Sequence, residues 1–320
     1  MKIFSRIAGM GSFLPANIVT NQDLAHQVET SHEWIVERTG IERRHILTEK
    51  ETSGSMALEA SKQAIENAGI SPKDIDMIIV ATTTPDMILP SIACLLQQQL
   101  GTNLCPAFDL VAACTGFIYG LSIADQYIKT GAAKNILMVA AEAMSRITDW
   151  SDRRTCVLFG DGAGAVILQP SEKPGVISTH LHASGYDKEL LWVPSALPSQ
   201  KSDTPPYVQM KGKELFRVAV NRLSEAVDEV LASANINSHE IDWLIPHQAN
   251  YRIIQAIAKK LDLPMEKVVL TVQDHGNTSA ASVPLAMHTA IQDGRVKRGD
   301  TLLLEAFGAG LTWGSALVIY

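Results

Sequence analysis

The chain has 320 residues, 46% of them hydrophobic and 19% charged, with a formal net charge of −7. That composition suits a soluble, well-buried α/β protein, and the length allows one large domain or two fused ones. The acidic balance argues against non-specific nucleic-acid binding, which needs a strong positive field. No apolar run is long enough to cross a bilayer. The N-terminal stretch, residues 1–12, lacks a secretory cleavage site and reads as a first strand, so the expected location is cytoplasmic. There the four cysteines, Cys94, Cys105, Cys114 and Cys156, stay reduced. None is spaced Cys-x-x-Cys, so neither a metal site nor a redox dithiol is expected.

Taken in chain order, residues 61–85 read as an amphipathic helix, a turn, an Ile-Asp pair and a buried strand. The helix rests on apolar residues at three- and four-residue spacing, the strand on a short β-branched run. Residues 108–117, Phe-Asp-Leu-Val-Ala-Ala-Cys-Thr-Gly-Phe, pass from an apolar run through Cys114 into a helix. A strand, Ile-Leu-Met-Val-Ala-Ala-Glu, and a Gly-rich strand start at 159–168 follow. Residues 171–216 carry less regular pattern and read as a connecting, pocket-lining segment. The series then repeats: helix, turn, Ile-Asp and strand at 224–248, a helix after Asn277, the strand Thr-Leu-Leu-Leu-Glu-Ala-Phe, and a Gly-rich strand at 313–320.

The chain therefore reads as two related α/β halves, 1–170 and 217–320, joined by 171–216. Alternating strands and helices imply mostly parallel sheets covered on both faces, with ligands at the strand carboxyl ends. Cys114 and Asn277 fall at equivalent points of the repeat, each where a helix begins, and His247 lies just past a strand. Packing about a pseudo-two-fold axis would let the three meet.

Cysteine at a helix N-terminus has a lowered pKa and a nucleophilic thiolate. A lone buried cysteine is otherwise a packing residue, the reading for Cys94, Cys105 and Cys156. Asn277 before Thr-Ser also suits a helix cap, and His275 a structural role. Gly160-Asp161-Gly162-Ala163-Gly164 lacks the Gly-x-Gly-x-x-Gly spacing of a nucleotide loop and reads as tight packing.

Five motifs, in order, resemble the β-ketoacyl-acyl-carrier-protein synthase III family of the thiolase superfamily. They are Glu-Trp-Ile-Val-Glu-Arg-Thr-Gly-Ile at 33–41, Ala-Cys-Thr-Gly-Phe around Cys114, Pro-His-Gln-Ala-Asn around His247, Gly-Asn-Thr-Ser-Ala-Ala-Ser around Asn277, and the terminal Phe-Gly-Ala-Gly-Leu-Thr-Trp-Gly-Ser-Ala-Leu. Phe-Gly-Asp-Gly-Ala-Gly-Ala at 159–165 adds to them. The resemblance runs over essentially the whole chain.

It implies a five-layer αβαβα thiolase-like fold, a homodimer and a Cys-His-Asn triad of Cys114, His247 and Asn277. Cys114 would take an acyl group from an acyl-CoA, with backbone N–H groups of Cys114 and Ala309 holding the oxyanion. Malonyl-acyl-carrier protein would then lose CO₂ and attack, His247 and Asn277 donating to its thioester oxygen. Coenzyme A is a substrate carrier, so no cofactor is expected. Trp34, Arg38 and Arg153 would hold its nucleotide end, and Phe216 and Asn250 its pantetheine. Arg217, Arg252, Lys259 and Lys260 would receive the acidic carrier protein. Leu89, where relatives often carry an aromatic residue, would reach the partner subunit's acyl pocket. A thiolase would need a second cysteine in the loop Gly308-Ala309-Gly310, which has none. A related condensing enzyme of secondary metabolism, using a longer primer, is the alternative.

Overall fold

The computed structural model describes residues 3–195 and 204–320. The first half runs β1 (Phe4–Phe13), β2 (Ile18–Thr20), α1 (Asn21–Ala25), α2 (His32–Thr39), β3 (Arg43–His45), α3 (Ser53–Ala68), β4 (Met77–Ala81), α4 (Ile92–Leu100), β5 (Ala107–Leu110), α5 (Gly116–Lys129), β6 (Ile136–Ala143) and β7 (Asp161–Ser171). The chain continues through β8 (Val176–Ala183), β9 (Leu191–Trp192), β10 (Gln209–Met210), α6 (Gly212–Ala234), β11 (Trp243–Pro246), α7 (Tyr251–Lys260), α8 (Val272–His275), α9 (Ser282–Gln292), β12 (Thr301–Gly308) and β13 (Thr312–Ile319). The repeat read from the sequence is present: α3–β4, α5–β6 and β7 correspond to α6–β11, α9–β12 and β13.

Two large sheets form, ordered β1-β7-β6-β4-β5 and β11-β12-β13-β8, beside two-stranded pairs β2-β3 and β9-β10. Alternation of side chains across their strands builds the layers. On β6, Ile136, Met138 and Ala140 join a central core with Leu302, Leu304 and Ala306 of β12, where α5 and α9 contribute Phe117, Leu121, Leu285 and Met287. The other face of β6, Leu137, Val139 and Ala141, packs on α3 and α4 through Ala57, Ala60 and Leu96. The other face of β12, Leu303 and Phe307, packs on α6 and α7 through Val227 and Ile257. The order is thus helices, sheet, helices, sheet, helices.

The sheets are less parallel than the alternating pattern suggests. β4 is parallel to β5 and β6, and β11 to β12, but β7 and β13 run antiparallel to their neighbours. For β13 the reason is connection length: a parallel return needs a crossover of a dozen or more residues, whereas β12 ends at Gly308 and β13 starts at Thr312. The segment 171–216 is also more than a connector. It contributes β8, which pairs with β13 as an edge strand of the second sheet; its residues 196–203 lie outside the described part.

Gly-rich β7 has a packing cause. A Cβ on Gly164 would stand 2.7 Å from Pro284 Cβ in the first turn of α9, so the helix beyond Asn277 lies directly on this strand. Gly160 is equally tight, its would-be Cβ falling against the carbonyl oxygen of His275. The Gly160–Gly164 stretch is tight packing beside the site, as its spacing suggested.

Candidate active site

Cys114 sits in a 3-10 turn, Ala113–Thr115, directly before α5. The turn starts with Ala113 at φ +46, a backbone state that non-glycine residues rarely adopt. Such local strain clusters at functional sites. Gly308, the last residue of β12, closes on the turn: a Cβ there would lie 2.6 Å from the backbone nitrogen of Cys114. Ala309 follows on the cavity wall and is not among the residues with positive φ, so alanine fits its backbone without strain.

His247 follows β11, and its N–H donates to the carbonyl of Glu305 at 2.8 Å. Its Nδ1 lies 2.6 Å from Ser282 Oγ, the first residue of α9. That oxygen also accepts the N–H of Gln248 at 3.3 Å, and its own proton is free to donate to Nδ1. In that arrangement the ring proton sits on Nε2, the tautomer that presents a donor to the cavity. Asn277 is clamped through its backbone, which donates to Leu158 and accepts from Gly160. Its Oδ1 accepts the N–H of Ser279 at 2.9 Å, so the amide nitrogen is the end left to donate. Asn277 thus caps the turn Ser279–Ala281 while presenting a donor. Cys114, His247 and Asn277 are 6, 7 and 7% exposed, and all three line one cavity of about 1530 Å³.

The description 3-oxoacyl-[acyl-carrier-protein] synthase III fits residues 108–185, and that of its C-terminal part fits residues 231–320. A β-ketoacyl-[acyl-carrier-protein] synthase III of Methylococcus capsulatus is 57% identical, covering 100% of both chains. The chain belongs to the β-ketoacyl-acyl-carrier-protein synthase III family. Its members are condensing acyltransferases of fatty-acid synthesis with the thiolase fold. The crystal structure of the Aquifex aeolicus 3-oxoacyl-[acyl-carrier-protein] synthase III is 50% identical and superposes with a TM-score of 0.94 over 99% of this chain and 100% of that one. The priming β-ketosynthase of the R1128 polyketide pathway is 36% identical with the same TM-score, over 99% of this chain and 97% of that one.

One expectation about this synthase-family site fails. The helix N-terminus does not leave Cys114 a thiolate in the resting protein: burial pushes the thiol up to about 12, and the Glu142 carboxylate adds to the rise. Desolvation in a closed pocket outweighs a dipole worth about 0.3–2 kcal/mol. Burial also holds His247 down at about 3, so it is a neutral imidazole and a poor base.

Sequence reasoning missed three residues here. Ser279, at φ +50, anchors Asn277 and hydrogen-bonds Glu142 at 3.0 Å. Glu142 is fully buried among hydroxyls, taking Thr84 Oγ1 at 2.7 Å and the Thr83 N–H at 3.0 Å. The triple threonine at 82–84, directly after a buried strand, was the available signal. Glu305 lines the cavity with its Oε2 unpartnered, and burial pushes its carboxyl up to about 8.

At the wide end, Trp34, Arg38, Phe216 and Asn250 line the cavity together. Asn250 caps α7 through Arg252 and donates to the Arg38 carbonyl at 3.0 Å, tying α2 to α7. Arg38 lies over the Trp34 ring at 4.7 Å and Arg153 at 5.2 Å. Arg153 stands outside the lining, held on the Glu29 carbonyl at 2.8 Å, and Arg154 lines the cavity instead with its fork on Asp152. The basic residues separate. Arg217 and Arg252 line the cavity, whereas Lys259 and Lys260 are exposed in the last turn of α7. Leu89 is 82% exposed, beside Ile88 at 72% and Met87 at 46%. It lies outside this chain's cavity lining.

Among the described residues, no group of three or more His, Cys, Asp or Glu could hold a metal ion. No described helix is long and apolar enough to cross a membrane.

Proposed function

We propose that this chain carries out a decarboxylative Claisen condensation of an acyl-CoA primer, acetyl-CoA foremost, with malonyl-acyl-carrier protein, through an acyl-Cys114 intermediate. The observation that carries this reading is the shared cavity. A cysteine at a strained turn shares that cavity with two neutral donors whose other ends are already occupied.

In the first step the Cys114 sulfur attacks the thioester, and the N–H groups of Cys114 and Ala309 hold the oxyanion. Coenzyme A leaves along the wall formed by Phe216 and Asn250, past Trp34, Arg38 and Arg153. In the second step the malonyl thioester loses CO₂, and its enolate attacks the acyl-Cys114 carbonyl. The carbanion comes from decarboxylation, so no base is required. His247 Nε2–H and Asn277 Nδ2–H hold the developing enolate oxygen, and a neutral imidazole suffices for that.

Arg217 and Arg252 at the cavity, with Lys259 and Lys260 further along α7, form the landing surface for the acidic carrier protein. The chain works in the cytoplasm as a homodimer, the partner subunit's Leu89 closing the acyl pocket. The exposed apolar run at 87–89 and the free edge of β5 support that contact. A second reading, priming of a secondary-metabolite chain with a longer acyl group, is favoured by leucine at position 89 and by the likeness to the polyketide-priming ketosynthase.

The test is to incubate the protein with acetyl-, butyryl- and octanoyl-CoA, with and without malonyl-acyl-carrier protein. An acyl adduct on Cys114 without acceptor, and a 3-oxoacyl-carrier product with it, are expected. No adduct with any primer would refute the reading, and the fastest primer separates the two versions. Arg217→Glu with Arg252→Glu should raise the half-saturating carrier-protein concentration by about tenfold. Equal loss with acyl-CoA would refute the docking surface.

A further inference from the structure

Cys114 must give up a proton before it can take an acyl group, and the obvious acceptor is already committed. His247 carries its proton on Nε2, and its Nδ1 is engaged by Ser282 at 2.6 Å. Ser279 offers a different route. It shares the cavity wall with Cys114, and its turn packs on the start of α5, where a Cβ on Gly116 would lie 3.3 Å from Ala280 Cβ; from there its hydroxyl acts to lower the thiol pKa. The same hydroxyl donates to Glu142 Oε1 at 3.0 Å. A hydroxyl has one proton and two acceptor sites. With its proton directed to Glu142, Ser279 faces the thiol as an acceptor.

The surroundings of Glu142 are built for a carboxylate. Thr84 Oγ1 donates at 2.7 Å, and it takes the Ala143 N–H at 2.8 Å, which frees its own proton for Glu142. The Thr83 N–H and hydroxyl each donate at 3.0 Å, and Thr82 Oγ1 lies at 3.5 Å. Among the described residues no ion pair involves Glu142, and its charge acts on the Cys114 thiol. Burial nonetheless raises its pKa, making it a stronger base than a solvated carboxylate. Glu142 does not line the cavity, so a substrate meets Ser279 and not the glutamate.

We propose that Ser279 and Glu142 form a proton relay that takes the Cys114 proton during acyl transfer and returns it after condensation. This rests on the condensing reading above. In the forward step the thiol proton passes to Ser279 Oγ as the Ser279 proton passes to Glu142. The Ser279 hydroxyl then donates to the thiolate. The sulfur attacks, the thioester C–S bond breaks, and coenzyme A leaves as a thiolate that takes a proton from water. After the enolate attacks acyl-Cys114, the expelled Cys114 thiolate recovers its proton from Glu142 along the same path. The net uptake of one proton is the one on coenzyme A.

Glu142→Gln keeps the size of the side chain and removes its basicity. Ser279→Ala keeps the N–H that anchors Asn277. With acetyl-CoA alone, single-turnover acylation of Cys114, read by intact mass, should fall at least about 30-fold at pH 7 in either variant. The deficit should shrink by about tenfold per pH unit towards pH 9, as hydroxide replaces the relay. Half-saturating acetyl-CoA should move less than about threefold, because Glu142 stands outside the cavity. A packing defect would instead lower the rate equally at every pH. Should Glu142→Gln fail to fold, Ser279→Ala carries the comparison. The relay alone is overturned if the parent is acylated and a folded variant matches it within threefold, or if the deficit ignores pH. If the parent takes up no acyl group, the condensing reading falls and the relay with it.

Discussion

β6 and β12 occupy equivalent places in the two halves, since Met77 of β4 pairs with Ile136 as Trp243 of β11 pairs with Leu302. Each strand carries one buried glutamate, and the two face opposite ways. Glu142 lies on the central-core side and touches the Ser279 turn of the other half. Glu305 lies on the outer side with Leu303 and Phe307, against α6, and its Oε2 has no partner. Counting along the strands, Gly308 stands where β6 has Glu142, and Val139 where β12 has Glu305. Both halves also repeat the strained turn, Ala113 at φ +46 and Ser279 at φ +50, each just ahead of its helix. One scaffold thus receives two chemistries. The first half supplies a sulfur and accepts a backbone from Gly308; the second supplies donors and accepts a carboxylate from Glu142. Burial raises the pKa of both carboxyls, and the donors decide how far each rise is opposed: hydroxyl and N–H groups oppose it at Glu142, whereas Glu305 Oε2 has no partner.

The largest break in this arrangement is at the sulfur. Cys114→Ala leaves the turn as small as its counterpart at Ala280, and no acyl adduct should form. Turnover should drop by more than about 10³-fold, as when a nucleophile is removed from a covalent mechanism. A residual adduct elsewhere on the protein would show that a second nucleophile takes acyl groups. Next is Gly308→Ala. Its methyl group would stand 2.6 Å from the Cys114 nitrogen and 3.0 Å from its Cβ. The turn must shift, and a displacement near 1 Å costs on the order of 10²-fold in rate, with about 1–3 kcal/mol of overpacking. Burst acylation and thermal melts measure the two separately. Ordinary acylation with an altered melt would mean that the close approach serves packing alone.

Ser282→Ala comes third. It removes the hydroxyl that fixes the His247 tautomer, so condensation should slow by about 10- to 100-fold, the usual cost of losing an orienting partner. Acyl transfer to Cys114 should fall less, because the proposed mechanism has His247 act on the malonyl oxygen. Equal loss in both half-reactions would place His247 in the first step as well.

The repeated pattern of helix, turn, Ile-Asp and strand was legible because periodicity survives in local sequence, and the motifs around Cys114, His247 and Asn277 singled out three residues that line one cavity. Ser282 was within a quoted motif yet read only as helix, since its bond to His247 spans 35 positions. Glu142 looked like the end of a strand; its partners come from residues 82–84 and 279, which only the assembled layers bring together. The thiol's protonation was misjudged for the same reason. A helix start is visible in sequence, whereas the depth at which the other half buries it is not. The connector's strand β8 was missed because an edge strand that is half-buried throughout lacks a clean alternation.

Glu305→Gln should change turnover least and separates the two glutamates most cleanly. In the folded protein its carboxyl is pushed up to about 8, against about 4.3 for an unfolded chain. Between those values the native state binds the extra proton, so this group's contribution to stability is intact below about pH 4 and is lost progressively up to about pH 8. The loss is at most about 5 kcal/mol, and less if water reaches the unpartnered oxygen from the cavity. Glutamine stays neutral and removes the dependence. The variant should therefore melt several degrees above the parent at pH 8 and near it at pH 5, as read by calorimetry across that range. The same substitution at Glu142 should gain less at pH 8, because hydroxyl and N–H donors already oppose the burial-driven rise there, and should cost stability at pH 5, where the neutral amide is mismatched to those donors. Parallel pH profiles for the two variants would mean that burial alone, and not the donors supplied by the opposite half, sets the state of each carboxyl.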